Sequence, residues 1–153
     1  MIKTDIAIIG SGITSKLTAL ALAKDTRKVA IYGHEDSKMN LSNLVTFFSS
    51  SSLSFLEDLG MQELINQFDK INEISCSKLE NYTANGKFQI NFRDEKNDLG
   101  RVIINSKLND ELDKQIKKNT NIVATNKIKF TDFHYKEGES VLYLENGDTI
   151  STK

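Results

Sequence analysis

Apolar and polar positions along the chain change period several times, and each change marks an element. Asp5 to Ile9 ends in the continuous run Ile-Ala-Ile-Ile. Such a run suits a parallel strand covered on both faces, and we expect it at the centre of a parallel array. A helix follows, with Ile13, Leu17, Leu20 and Ala21 on one stripe at helical spacing. Ala19, Ala21 and Ala23 are small enough for close approach to a sheet, and Lys24 stands near the helix end, where a cation suits the dipole. Lys28 to Tyr32 is a second short apolar strand, so the first thirty-odd residues read as a right-handed βαβ unit.

The polar loop GHEDSKMNLSN leads to an extended segment, Leu44 to Phe48, and then to the serines Ser49 to Ser52, read as a loop or the lead into a helix. Ser54 and Glu57 have capping-box spacing and Gly60 suits the position just past a helix end. A second helix is expected over Gln62 to Asp69. Residues 71–92 read as a hairpin turning near Asn85-Gly86, with Phe88, Ile90 and Phe92 alternating toward a buried face. After the charged loop RDEKND, an extended segment passes into a helix capped by Asn105 or Ser106, with Leu108, Leu112 and Ile116 on its apolar face. Residues 121–125 read as a candidate third parallel strand. From Lys127 onward the pattern is a β-meander, with turns at EGE and NGD. No internal repeat is present.

Hydrophobic content of 39% and charged content of 27% place the 153 residues among globular domains with a real core. The net charge of −1 gives no electrostatic footprint for nucleic acid. Arg27, Arg93 and Arg101 are the only arginines, so bidentate phosphate recognition has few candidates. Cys76 is the single cysteine, which rules out an intramolecular disulfide and fits a reducing compartment; we read it as a buried structural thiol. There is no apolar run of the ~20 residues that span a bilayer and no signal-peptide layout at the N-terminus, so the expected location is cytoplasmic. Proline is absent, from which nothing functional follows.

The chemistry concentrates in IIGSGITSK. Gly10 permits a sharp turn out of the strand, and Gly12 lets a pyrophosphate approach the backbone. The amides and dipole at the helix mouth then stabilise the negative charge. The third glycine of the usual G-x-G-x-x-G pattern is Ser15, a small steric change in helix–strand packing. Dinucleotide binding is the functional reading, and a ligand-free βα turn is the plain alternative. The acid that holds a ribose is expected at the end of the second strand, where Gly33 stands; Glu35 and Asp36 come two and three residues later. His34 and His134 lie in different elements, His134 on a strand surface, and no second ligand cluster supports a metal site. Lys107, Asp110, Glu111, Lys114 and Lys118 read as a solvated helix face.

Four stretches, in this order, carry a resemblance: DIAIIGSGITSKLTALALA, SSLSFLEDLGM, DLGRVIINSKLNDEL and YLENGDTI. Together they resemble the flavin-dependent aromatic hydroxylases, above all the branch that hydroxylates polyprenylated phenols in ubiquinone biosynthesis, the 2-octaprenyl-6-methoxyphenol hydroxylase type. The resemblance implies an α/β, Rossmann-like FAD-binding fold with a parallel sheet, a meander and the start of a substrate-domain hairpin at 71–98. It implies FAD as cofactor, NAD(P)H as co-substrate of the complete enzyme, and cofactor contacts from Gly10, Ser11, Gly12, Ile13, Thr14, Ser15, Glu35 and Asn105. No catalytic side chain is implied among these residues. Family members carry glycine at the position of Ser15, an acid at Gly33, an arginine near Asn43-Leu44 and another at Ser106. They are also much longer, and the D-G and G-D motifs that complete their flavin pocket are missing here. The resemblance therefore implies a truncated FAD-binding domain over 1–153, with a separate C-terminal chain as candidate partner and any peripheral membrane contact confined to the missing part. A non-catalytic remnant that has lost FAD and a free-standing NAD-binding Rossmann domain are the alternatives.

Overall fold

The computed structural model describes residues 2–33, 44–77, 89–93, 98–125 and 128–152. In chain order its elements begin with β1 (Ile2–Thr4), β2 (Ile6–Ile9), α1 (Ile13–Ala23), β3 (Val29–Tyr32), β4 (Val45–Ser49), α2 (Ser50–Asp58) and α3 (Gln62–Ile65). There follow β5 (Lys70–Ile71), β6 (Glu73–Ser77), β7 (Gln89–Arg93), β8 (Gly100–Ile104) and α4 (Asn105–Lys118). The chain closes with β9 (Ile122–Thr125), β10 (Phe130–Lys136), β11 (Glu139–Leu144) and β12 (Thr149–Thr152). It divides into two compact units, residues 1–43 with 105–153, and residues 44–104.

The first unit is built on a parallel sheet in the order β2-β3-β9, with Ile6 opposite Val29 and Val29 opposite Ile122. The expected βαβ unit and third parallel strand are present. The central strand, however, is β3, and β2 is one of the two end strands among the described residues. All four residues of β3 are buried. Alternation sends them to opposite faces: Ala30 and Tyr32 pack with Leu142, Leu144 and Ile150 of the meander, while α1 lies against β3 and against α4. The meander pairs antiparallel through β10, β11 and β12 as its alternation predicts. β12 then pairs parallel with β1, a strand the sequence pattern did not announce.

Each helix of this unit buries a stripe. On α4 it is Leu108, Leu112 and Ile116, as the spacing predicts. Four of the five charged residues read as its solvated face, Lys107, Asp110, Lys114 and Lys118, are exposed, and Glu111 is half-buried. On α1 the buried residues are Lys16, Ala19, Leu20 and Ala23, rotated from the expected Ile13, Leu17, Leu20 and Ala21. The alanines allow close packing on that face, and the buried lysine is tolerated because its ammonium is paired, as described below.

In the second unit, β4, β8 and β5 form an antiparallel sheet. Of the two readings of the serine run, the lead into a helix is the one seen: Ser49 ends β4 and caps α2, its hydroxyl accepting from the Ser52 amide at 3.4 Å. Ser54 lies inside the helix and donates to the Ser50 carbonyl instead of capping. Gly60, with φ +82°, ends α2 as expected. Its amide reaches the Glu57 carbonyl at 2.8 Å and the Met61 amide reaches the Leu56 carbonyl at 3.1 Å, the two bonds of a Schellman turn. The next helix stops at Ile65 rather than Asp69. There the Arg101 guanidinium donates to the carbonyls of Ile65 and Phe68, satisfying groups a longer helix would have bonded internally.

The expected hairpin pairs as β6 with β7, Glu73 opposite Arg93 and Ser77 opposite Gln89. Its turn at Asn85-Gly86 and the side chain of Phe88 lie outside the described residues. The buried face does not materialise: Ile90 and Phe92 are 43% and 52% exposed. Cys76 is exposed too, not a buried thiol. Two strands alone offer no second layer to cover either face. Among the described residues, no helix is long and apolar enough to cross a membrane.

Candidate functional site

The turn from β2 into α1 is fixed by its glycines. Gly10 has φ +141°, a conformation that L side chains rarely adopt, and its amide donates to the Tyr32 carbonyl at 2.8 Å. A Cβ on Gly10 would lie 2.5 Å from the Ser15 hydroxyl oxygen. Ser15 therefore fits the third motif position by filling the space that the bare Gly10 leaves. Gly12 differs: a Cβ there would meet nothing within 4 Å. Protein packing does not require glycine at 12, and the side left open is the one a ligand would use. Gly12 is also the N-cap of α1, with no side chain capping the helix and no acidic residue in the first turn. The Lys16 amide closes that turn on the Gly12 carbonyl at 3.1 Å. Such a mouth, an uncapped set of amides at the positive end of a helix dipole, suits an anion.

The turn is closed at Gly33. The Gly33 amide donates to the Thr125 carbonyl at 3.1 Å. A Cβ on Gly33 would sit 2.5 Å from the Ser11 Cβ, 2.7 Å from the Ser11 amide nitrogen and 2.9 Å from the Gly10 carbonyl carbon. This loop and an acid at position 33 are mutually exclusive. Glu35, the substitute suggested by spacing, lies outside the described residues, as do His34 and Asp36.

Behind the mouth, α1 is tied to α4 by charge. The Lys16 side chain is 5% exposed, with its Nζ 2.6 Å from an Asp113 carboxylate oxygen and 2.8 Å from the Asn109 side-chain oxygen. The cation nearest in sequence to the glycine turn thus points to the neighbouring helix. The sequence signal was available: a lysine inside an apolar helical run, and Asn109 and Asp113 one turn apart on another helix. Nothing in the sequence said that the two helices pack together. Asn105 is the first residue of that same α4. The structure therefore gathers residues 10–15 in one turn and sets Asn105 on the helix anchored to α1. Tyr32, whose carbonyl holds Gly10, has its phenol pushed above the usual range, first by burial and then by the Asp148 carboxylate.

Elsewhere, His134 is surface-exposed, stacked edge-on against Tyr143, with Nε2 3.6 Å from Asp132. No group of residues that could hold a metal ion occurs among the described residues. A cavity of about 420 Å³ lies within the second unit beside Ser54, Glu57 and Arg101. Its arginine is already engaged with backbone carbonyls.

No protein-family model matches the chain, and no curated protein matches it. Solved structures do. It is similar to pqsL, a probable FAD-dependent monooxygenase from Pseudomonas aeruginosa, with a TM-score of 0.73 at 14% identity over 98% of this chain and 40% of that one. It is similar to the p-nitrophenol 4-monooxygenase PnpA from Pseudomonas putida DLL-E4, with a TM-score of 0.72 at 15% identity over 100% of this chain and 40% of that one. The rebeccamycin biosynthetic enzyme REBC gives a TM-score of 0.67 at 12% identity, over 99% of this chain and 31% of that one. The chain thus has a fold found in FAD-dependent monooxygenases and spans about 40% of the length of the first two.

Proposed function

We propose that the first unit holds the adenine-nucleotide part of FAD, and that the chain supplies this portion of a flavin-dependent aromatic hydroxylase. One observation carries the reading: at Gly12, the N-cap of α1, a Cβ would meet no described atom within 4 Å, on a fold shared with FAD-dependent monooxygenases. Gly10, Ser11, Gly12, Ile13, Thr14 and Ser15 form the cradle for the diphosphate, with amides and dipole as the attraction. Glu35 and Asn105 are further contacts on the strength of the family resemblance. FAD, when bound, accepts electrons from NAD(P)H and activates dioxygen for insertion of one oxygen atom into a phenol ring. The residues of this chain bind and orient the cofactor and move no proton in that reaction.

The substrate class carried by the resemblance is a polyprenyl phenol of ubiquinone biosynthesis. The chain spans about 40% of the length of pqsL and PnpA, and a separate C-terminal chain is the candidate partner that the resemblance offers for the rest of the flavin pocket. Gly33 and Ser106 stand where relatives carry charged groups, and each lost charged hydrogen bond costs about 1.5 to 3 kcal/mol. Affinity for FAD is therefore low in the chain alone. The contact between Gly33 and Ser11 favours a second reading, a binding module that has lost FAD.

Calorimetric titration with ADP, FAD and NAD separates these. Under the first reading ADP and FAD bind the chain. Gly12→Val weakens both by roughly tenfold or more and lowers the thermal melt only modestly, by the cost of a poorer N-cap residue, because a Cβ at 12 meets nothing within 4 Å. No binding of ADP or FAD, or equal binding to the variant, overturns it.

A further inference from the structure

β10 ends the sheet β1-β12-β11-β10, and no strand among the described residues pairs with its outer side. Its regular stretch is short and bounded. At one end the register with β11 shifts between Phe130 and Asp132. At the other, Lys136 and Glu139 close a two-residue turn, with φ +55° at Glu137 and +83° at Gly138. Between these limits lie Asp132 to Lys136, centred on His134.

The closing pair of such a hairpin exchanges its backbone bonds, and direction alternates along the strand from there. The backbone groups of Lys136, His134 and Asp132 therefore serve β11, and those of Phe133 and Tyr135 point outward. The Phe133 amide agrees, donating to the carboxylate of its own neighbour, Asp132, at 2.8 Å. The side chains divide by face. Phe133 and Tyr135 stand opposite Leu142 and Ser140, on the face where Leu142 packs with Ala30 and Tyr32. Leu142 is buried there, whereas Phe133 and Tyr135 lie past the end of that core, 59% and 70% exposed. Asp132 and His134 share the other face, with Nε2 3.6 Å from the carboxylate.

We infer that this edge is a contact between two copies of the chain, in which β10 pairs antiparallel with its own counterpart across a two-fold axis at His134. Identical edges related by a two-fold axis run antiparallel, and this register is self-complementary. Phe133 of one copy falls opposite Tyr135 of the other, so the outward backbone groups meet in about four hydrogen bonds. The same pairing joins the aromatic rings that the core leaves bare. On the opposite face Asp132 falls opposite Lys136, unlike in charge, and each His134 meets its counterpart beside its own Asp132. Centring the axis on Phe133 or Tyr135 would run the paired stretch into the register shift or the turn. The contact is only a few residues long, so association is weak and reversible.

Sedimentation velocity and NMR amide exchange are followed on the whole chain from about 20 μM to about 1 mM. The chain passes from monomer toward dimer, and the Phe133 and Tyr135 amides slow by roughly twofold or more while His134 changes less. Tyr135→Pro removes an outward amide without touching the pairing to β11 and abolishes the dimer. Phe133→Asp weakens it by roughly tenfold or more and leaves the backbone intact, so the test stands if the proline variant does not fold. Phe92→Ser, in the exposed β6–β7 hairpin, leaves association unchanged. A chain that stays monomeric up to about 1 mM overturns the inference. So does a dimer that survives Phe133→Asp, or one that Phe92→Ser abolishes, which would place the contact at the hairpin.

Discussion

Val29, Ala30, Ile31 and Tyr32 of β3 are all 3% exposed or less, whereas Ile90 and Phe92 of β7 are 43% and 52% exposed. Both segments read as strands, and both are strands. They differ in what surrounds them. β3 has a parallel neighbour on each edge, α1 on one face and the meander on the other. Among the described residues, β7 has one partner, β6. A strand's own alternation determines where its side chains point. Burial requires further layers, which the strand does not supply.

The strongest test of this contrast is a pair of truncations. Leu112→Ala, at a fully buried site of the first unit, lowers unfolding free energy by about 2 to 5 kcal/mol in urea denaturation. Phe92→Ser changes it by no more than about 0.5 kcal/mol, while lowering the binding of a hydrophobic dye. Equal effects would mean that β7 is buried against something in solution.

A smaller effect is expected at the charged tie between the helices. Asp113→Ala leaves the Lys16 ammonium buried without its counter-charge and costs about 3 kcal/mol. Lys16→Met costs less than about 1 kcal/mol, because the carboxylate left behind is 33% exposed and can hydrate. The asymmetry, read from urea midpoints, distinguishes a buried cation from a simple surface pair.

The smallest effect concerns alkaline pH. Burial and the Asp148 carboxylate raise the Tyr32 phenol above 10.0 in the folded chain. The unfolded chain therefore loses that proton first. The associated stability is intact below pH 10 or so and declines as pH rises from there through the raised folded value. Tyr32→Phe removes that alkaline decline in a series of urea midpoints above about pH 9. An unchanged slope would show that the phenol reaches water.

Much of the fold was legible from local pattern. The βαβ unit, the meander, the α4 stripe and the turn at Gly60 follow from spacing that a few residues impose on themselves. The misplaced features all needed a distant partner. The buried face of α1 includes Lys16, which only the distant Asp113 makes tolerable. α3 ended early because Arg101 took its carbonyls. Residues 10–15 were legible as a candidate site, but the reason Gly33 cannot be an acid was not. That reason is the Ser11 side chain lying against it.

By itself, the sequence determined which segments are strands and helices, and that one turn carries glycines suited to a diphosphate, because backbone sterics and hydrophobic period act over neighbouring residues. The tertiary structure alone decided that β3 rather than β2 is central, and that a side chain has room at Gly12 but not at Gly33. Those properties depend on which surfaces meet across the chain, and no stretch of sequence contains both sides of such a contact.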